Sequence, residues 1–236
     1  IDKGGTLRLG NSSALGSGTF TVSNPSSLDT SSALSLNNNL QLSSTLNLDG
    51  NYDLALNGVI DGAGGLVQNG TARLSLMNAN TFGGGVVLHS GNLTLGNAGA
   101  LGTGALSVTG SSQLDVTSPM ALANNIDVSG VLSVAGNNDL TLSGTLSGAG
   151  TLNKNGLAEL TLSGNNHNFT GIFNIFSGTL STVTSTVLGT LSEINLSSGA
   201  TLNLGGSITL AQLVGSGDVE IDTGTTLSVG GGNFAG

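Results

Sequence analysis

The sequence predicts an all-β protein: a single-stranded parallel β-helix of about ten or eleven coils with no significant helix. Three observations carry the prediction. Apolar residues fall two apart in runs too short for a helix, and glycine, asparagine or serine closes almost every run. A long internal repeat then joins distant parts of the chain in register. Composition agrees with all three. Of 236 residues, 40 are Gly, 37% are hydrophobic, 3% are aromatic and 7% are charged, with no Cys and no Trp. Disordered chains combine low hydrophobicity with high net charge, and this chain does not.

The repeat has a period of 86 residues. "GTLRLG" at Gly5 returns as "GNLTLG" at Gly91, and "ALGSG" at Ala14 as "ALGTG" at Ala100. "LNLDGNYDLALNGVIDGAGGL" from Leu46 aligns with "LSVAGNNDLTLSGTLSGAGTL" from Leu132. After one inserted residue, Phe82 matches Phe169 and "SGNL" at Ser90 matches "SGTL" at Ser177. A third, partial copy follows, with "VLGT" at Val187 answering "ALGT" at Ala100 and Leu227 and Val229 matching Leu54 and Leu56. The expected organisation is one β-helical unit over 1–236, with repeats at about 5–90, 91–177 and 178–236.

Each copy is a string of minimal strands. In the second copy they are Leu93/Leu95, Leu106/Val108, Leu114/Val116, Ile126/Val128, Leu132/Val134, Leu140/Leu142 and Leu160/Leu162. Leu146, Leu152 and Phe169 give partial versions. A period of two buries one side of each run. Strands this short, with few large side chains, gain a core only by stacking. About three per coil gives coils of roughly 20–25 residues, each burying its Leu, Val and Ile against the next. The glycines and the pairs Asn37–Asn38, Asn137–Asn138 and Asn165–Asn166 belong at the bends. Positive φ is cheap there for Gly and tolerable for Asn, and stacked Asn side chains can bond between coils. A hairpin-built sandwich or barrel also explains the alternation, but it leaves the long-range register unexplained.

The run from Gly148 reads Gly148, Gly150, Leu152, Lys154, Gly156, Leu160-Thr161-Leu162-Ser163-Gly164, Asn166, Phe169, Thr170-Gly171 and Ser177-Gly178-Thr179-Leu180. It resembles the passenger-associated transport repeat of bacterial autotransporters, also called the autotransporter-associated β-strand repeat. The stretch from Gly62 to Leu95 resembles it more loosely, with Gln68 at the lysine position, Met77-Asn78 for Ser-Gly and Gly83 for Thr. The two stretches cover about a third of the chain. The resemblance implies a passenger folded as a right-handed parallel β-helix and exported through its own C-terminal outer-membrane barrel. It implies an extracellular place on the bacterial surface, with the protein serving as adhesin, self-associating aggregation and biofilm factor, or stalk. The expected partners are passengers on neighbouring cells, host or abiotic surfaces, and that barrel. No barrel strands are visible, and both ends interrupt a repeat, so a passenger fragment is expected.

Several chemistries are disfavoured. Four Lys and Arg against thirteen Asp and Glu, a net charge of −9, argue against nucleic acid and anionic membranes. No apolar run approaches the roughly 20 residues of a membrane span, so direct insertion is not expected. "DGAGG" at Asp61 and "SGAGT" at Ser147 are Gly-rich, but no helix follows either, as a phosphate loop requires. "GDVEID" at Gly217 places Asp218, Glu220 and Asp222 outside and Val219 and Ile221 inside. Carboxylates about 7 Å apart along a strand do not enclose a calcium ion. His89 and His167 occupy different phases, and Lys3, Arg8, Arg73 and Lys154 are scattered. Arg73 matches Glu159 in the repeat and Gln68 matches Lys154, which reads as exposed surface. Thr94, Thr141 and Thr161 point outward, but their counterparts Arg8, Ala55 and Ser75 break the threonine array an ice-binding face needs.

The expectation is therefore a non-enzymatic surface protein with no catalytic, cofactor-binding or metal-binding residues and no cofactor. The alternative is the β-helical scaffold of a secreted enzyme or toxin whose active domain lies elsewhere.

Overall fold

In a computed structural model, which describes residues 1, 4–183, 188 and 193–236, the chain is an all-β parallel solenoid of about eleven turns. Lys3 and Val187 lie outside the described residues. The described residues contain strands, turns and bends but no helix. The chain divides into two compact units, Ile1–Thr117 and Ser118–Gly236.

In the first unit each coil has three sides. Side a carries Leu34–Leu36, Leu54–Leu56 and Arg73–Leu76. Side b carries Phe20–Val22, Leu40–Leu42 and Ile60–Asp61. Side c carries Thr6–Leu9, Ser26–Thr30, Leu46–Leu48 and Leu66–Gln68. Two longer strands, Val86–Leu95 and Leu106–Val116, run round the corner from side c to side a, with a register shift between Leu88 and Ser90. Every described pairing in this unit is parallel, and apart from that shift like residues stack on like places. Leu34, Leu54 and Leu74 stack at steps of 20 residues, followed by Leu93 and Leu114.

The second unit follows the same plan. Its six-stranded side is Met120–Leu122, Leu140–Leu142, Glu159–Leu162, Gly178–Thr182, Ala200–Leu204 and Asp218–Ile221. Another side stacks Val131–Val134, Thr151–Lys154, Ile172–Ile175 and Glu193–Leu196. Between them lie Ile126–Val128 and Leu146–Ser147.

Alternation does what the sequence predicts. Leu54 and Leu56, Leu140 and Leu142, and Leu160 and Leu162 are all buried, while the residue between each pair faces out. Each such leucine contributes about 1.5–3 kcal/mol on burial, and this term holds the coils together. Phe82, Phe169 and Phe173 are wholly buried, and the last two rings sit 4.7 Å apart, tilted.

The corners differ from expectation in one respect. Among the described residues every positive φ belongs to glycine, and no asparagine adopts one. Asparagine acts through its side chain instead. Asn38 Nδ2 donates to Gly16 O and Gly18 O at 3.0 and 2.7 Å, and Asn57 Nδ2 donates to Asn37 Oδ1 at 2.8 Å. Asn80 and Asn166, which match in the repeat, accept the N–H groups of Ile60 and Leu146 through Oδ1. These coil-to-coil bonds supply partners to backbone groups that the bends would leave unpaired.

The 86-residue repeat and the 20-residue coil are different periods. Leu7 stacks on side c with Leu28 and Leu48, whereas its counterpart Leu93 stacks on side a with Leu74 and Leu54. Phe20 on side b matches Leu106 on side c, and Leu28 on side c matches Leu114 on side a. In the second unit Leu132 stacks with Leu152 and Phe173, while Val219, its counterpart, joins the six-stranded side under Leu202. Four coils use 80 residues, and the remaining six equal the step from Leu34 to Leu40, one side to the next. The spacing therefore carries each motif four coils and one side onward.

Candidate functional site

The outward columns form the accessible surface of both units. On the six-stranded side the outward column reads Ala121, Thr141, Thr161, Ser181, Asn203 and Glu220, of which Ser181 is covered and only 6% exposed. On side a it reads Ser35, Ala55, Ser75, Thr94 and Asp115. Threonine holds two consecutive places in the first column, Thr141 and Thr161, and one in the second, Thr94, so neither is a uniform array.

One column is organised further. Ser133, Asn153, Asn174 and Asn195 occupy equivalent places on consecutive coils. Asn174 Nδ2 donates to Asn153 Oδ1 at 2.8 Å and Asn195 Nδ2 to Asn174 Oδ1 at 2.9 Å, so the amides form a ladder. Each primary amide has two protons and two lone pairs, and a ladder bond uses one of each. Asn153 Nδ2 also donates to Ser133 Oγ at 3.4 Å and Asn195 Nδ2 to Glu193 Oε1 at 3.2 Å. Sequence reading places asparagine contacts at corners and misses this one, because Asn153 and Asn174 lie 21 residues apart and the visible repeat does not give the coil length.

Gln68 and Lys154 correct the sequence reading. Both are buried, each 3% exposed. Gln68 lies two residues after Leu66 and Lys154 two after Leu152, so alternation turns both side chains inward. Each then serves the corner that follows. Gln68 Nε2 donates to Gly70 O and Ala72 O, both at 3.1 Å. Lys154 Nζ donates to Gly156 O and, at 3.2 Å, to Ser177 O. Exchange of an amide for an ammonium implies exposure when only charge is compared. The shared property is hydrogen-bond donation to carbonyls, which both groups supply. Burial pulls the Lys154 ammonium below the ordinary lysine range, and the Asp139 carboxylate opposes the shift.

Arg73 and Glu159 are exposed, as the sequence implies. Their backbone N–H groups are held alike, by Asp53 Oδ1 at 3.0 Å and Asp139 Oδ1 at 2.9 Å. Gln68 and Arg73 line a corner niche of about 10 Å³, and Lys154 and Glu159 line its counterpart of the same size. Each has room for about one water molecule.

The acidic run is exposed at Asp218, Glu220 and Asp222. Its expected inner residues are not covered, Val219 being half-buried and Ile221 46% exposed. Among the described residues Asp218–Ile221 pairs with Ala200–Leu204 alone, which leaves these two side chains without cover from a second coil. Among the described residues no three His, Cys, Asp or Glu side chains gather as a metal site. His89 Nδ1 lies 2.6 Å from Thr109 Oγ1 on the surface, and His167 is exposed. Arg8 and Asp29 form an exposed ion pair at 3.3 Å, a contact of small energetic weight.

A parallel β-solenoid with small, sparsely charged side chains in its outward columns and corners closed by glycine defines a β-helical repeat scaffold. The chain is 32% identical over 192 residues to the BmaC autotransporter adhesin of Brucella suis biovar 1 (strain 1330), a span covering 75% of this chain. That span is 6% of the relative's length. The fold and this likeness fit an autotransporter passenger built from β-helix repeats. No family model matches the chain, and no solved structure matches it.

Proposed function

We propose that the chain is part of a non-enzymatic adhesin displayed on the bacterial surface and held at the outer membrane by a C-terminal barrel in the full-length protein. The observation that carries this reading is the likeness to an autotransporter adhesin along three quarters of the chain. The outward columns supply the chemistry. They present short hydroxyl and amide side chains on a frame held rigid by coil-to-coil bonds, so little side-chain entropy is lost on contact. Many weak neutral hydrogen bonds then act together along apposed faces of passengers on neighbouring cells, or against a host or abiotic surface.

The test is display of the passenger on cells that otherwise neither clump nor adhere. Flocculation and retention on coated surfaces are measured beside hydrolysis of polysaccharides and peptides. Clumping or retention without hydrolysis is expected. Displayed cells that do neither sink the adhesive reading and leave a stalk, and turnover of any polymer sinks the non-enzymatic one.

A further inference from the structure

One groove in the first unit lies apart from the ladder and the corner niches. Its volume is about 450 Å³, and it runs beneath a turn that projects between Leu9 and Phe20. Its lining includes Ser12, Ser13, Ser17, Ser35, Asn37 and Asn38, with no charged and no large apolar side chain. That volume falls within the rough 300–1,000 Å³ range of small-ligand sites.

The repeat separates what the fold requires from what it does not. The turn at Asn11 and the turn at Asn97 share one backbone. Ala14 N donates to Asn11 O at 3.1 Å and Ala100 N to Asn97 O at 3.0 Å. Gly16 and Gly102 follow at φ 64° and 67°. The asparagine Oδ1 accepts the N–H two residues on in both, at 2.7 and 2.9 Å. Asn38, which anchors the first turn, also has an asparagine counterpart, Asn124. The other lining residues are not kept. Ser12, Ser13, Ser35 and Asn37 correspond to Ala98, Gly99, Ala121 and Ala123, and Ser17 to Thr103. The turn therefore forms without the hydroxyls and amides, which set the groove of the first copy apart from its counterpart in the second.

The polar atoms are partly committed, and the commitment orients them. Ser12 Oγ accepts from Ser35 N at 3.0 Å. Asn57 Nδ2 donates to Ser35 Oγ at 2.7 Å and to Asn37 Oδ1 at 2.8 Å. The hydroxyl protons of Ser12 and Ser35 and the amide protons of Asn37 remain to donate, and lone pairs on the same groups remain to accept.

We infer that this groove binds an uncharged saccharide. A hexose presents adjacent hydroxyls that each donate and accept, which matches a lining of hydroxyls and amides. An apolar peptide side chain calls for apolar lining and an anionic polymer for basic lining, and the groove has neither. The inference rests on the adhesive reading and supplies it with a ligand class.

The test titrates the 236-residue chain with the neutral tetrasaccharides maltotetraose, cellotetraose and mannotetraose, and with tetragalacturonate as the charged comparison. The variants are S35A/N37A and S12A/S13G, which install the residues of the second copy. Thermal melting verifies their folding. At least one neutral tetrasaccharide binds, and each folded variant weakens it roughly tenfold or more, as loss of two hydrogen bonds requires. The inference is overturned if no neutral saccharide binds, if tetragalacturonate binds as well as the neutral ligands, or if both variants bind like the parent. Displayed cells that adhere while no saccharide binds would remove this groove alone and leave adhesion standing.

Discussion

Lys154 shows how one buried residue joins sequence, packing and pH response. Its ammonium donates to two corner carbonyls, as the Gln68 amide does at the matching corner of the first copy. K154Q is therefore expected to melt close to the parent at neutral pH, whereas K154M strands two buried carbonyls and costs about 1–3 kcal/mol in denaturant titration. The folded chain holds the Lys154 proton less tightly than the unfolded chain does, so losing that proton favours folding. The parent should gain stability relative to K154Q as pH rises toward the ordinary lysine value of 10.5. A difference between the two that is flat in pH would contradict the burial effect. Gly62 and Gly148 make a second residue-scale case. They match in the repeat, at φ 100° and 103°, and a Cβ on either would lie 2.2 Å from the carbonyl oxygen of Leu42 or Val128 one coil away. G148A is expected to cost upwards of about 2 kcal/mol, since the strained φ and the backbone clash add.

At the scale of the element, strands and inward faces were legible in the sequence because a period of two is visible in three residues. Leu140 and Leu142 need no more than Thr141 between them. The side to which a strand belongs was not legible. The 86-residue repeat was the visible period, and it hides the 20-residue coil because it advances each motif by one side beyond whole coils. Burial of Gln68 and Lys154 was readable from their place two residues after a core leucine, but their polarity outweighed that signal. The amide ladder depends on which coil lies above which, and local pattern does not contain that. Its middle rung gives a direct check. N174D keeps an acceptor toward Asn195 but sets a carboxylate oxygen against Asn153 Oδ1. A loss of about 0.5–1.5 kcal/mol is expected in thermal or denaturant melts, and no loss would show that the ladder adds nothing to folding.

At the scale of the whole molecule, the sparse charge sets the character of the surface. With 7% charged residues and a net charge of −9, the proposed adhesion rests on neutral hydrogen bonds rather than ion pairs. Screening acts strongly on exposed charges and weakly on such bonds, so adhesion should change little between roughly 0.05 and 0.5 M salt. A steep fall over that range, measured as cells retained on a coated surface, would point to ionic contacts instead. The central claim is that the protein works by presenting its faces. Cells displaying the parent passenger are compared with cells displaying N153A/N174A/N195A at equal surface density, scoring clumping and retention. The parent should adhere, and removing the ladder amides should reduce adhesion severalfold while the passenger stays folded. Undiminished adhesion by the folded triple variant would contradict that claim.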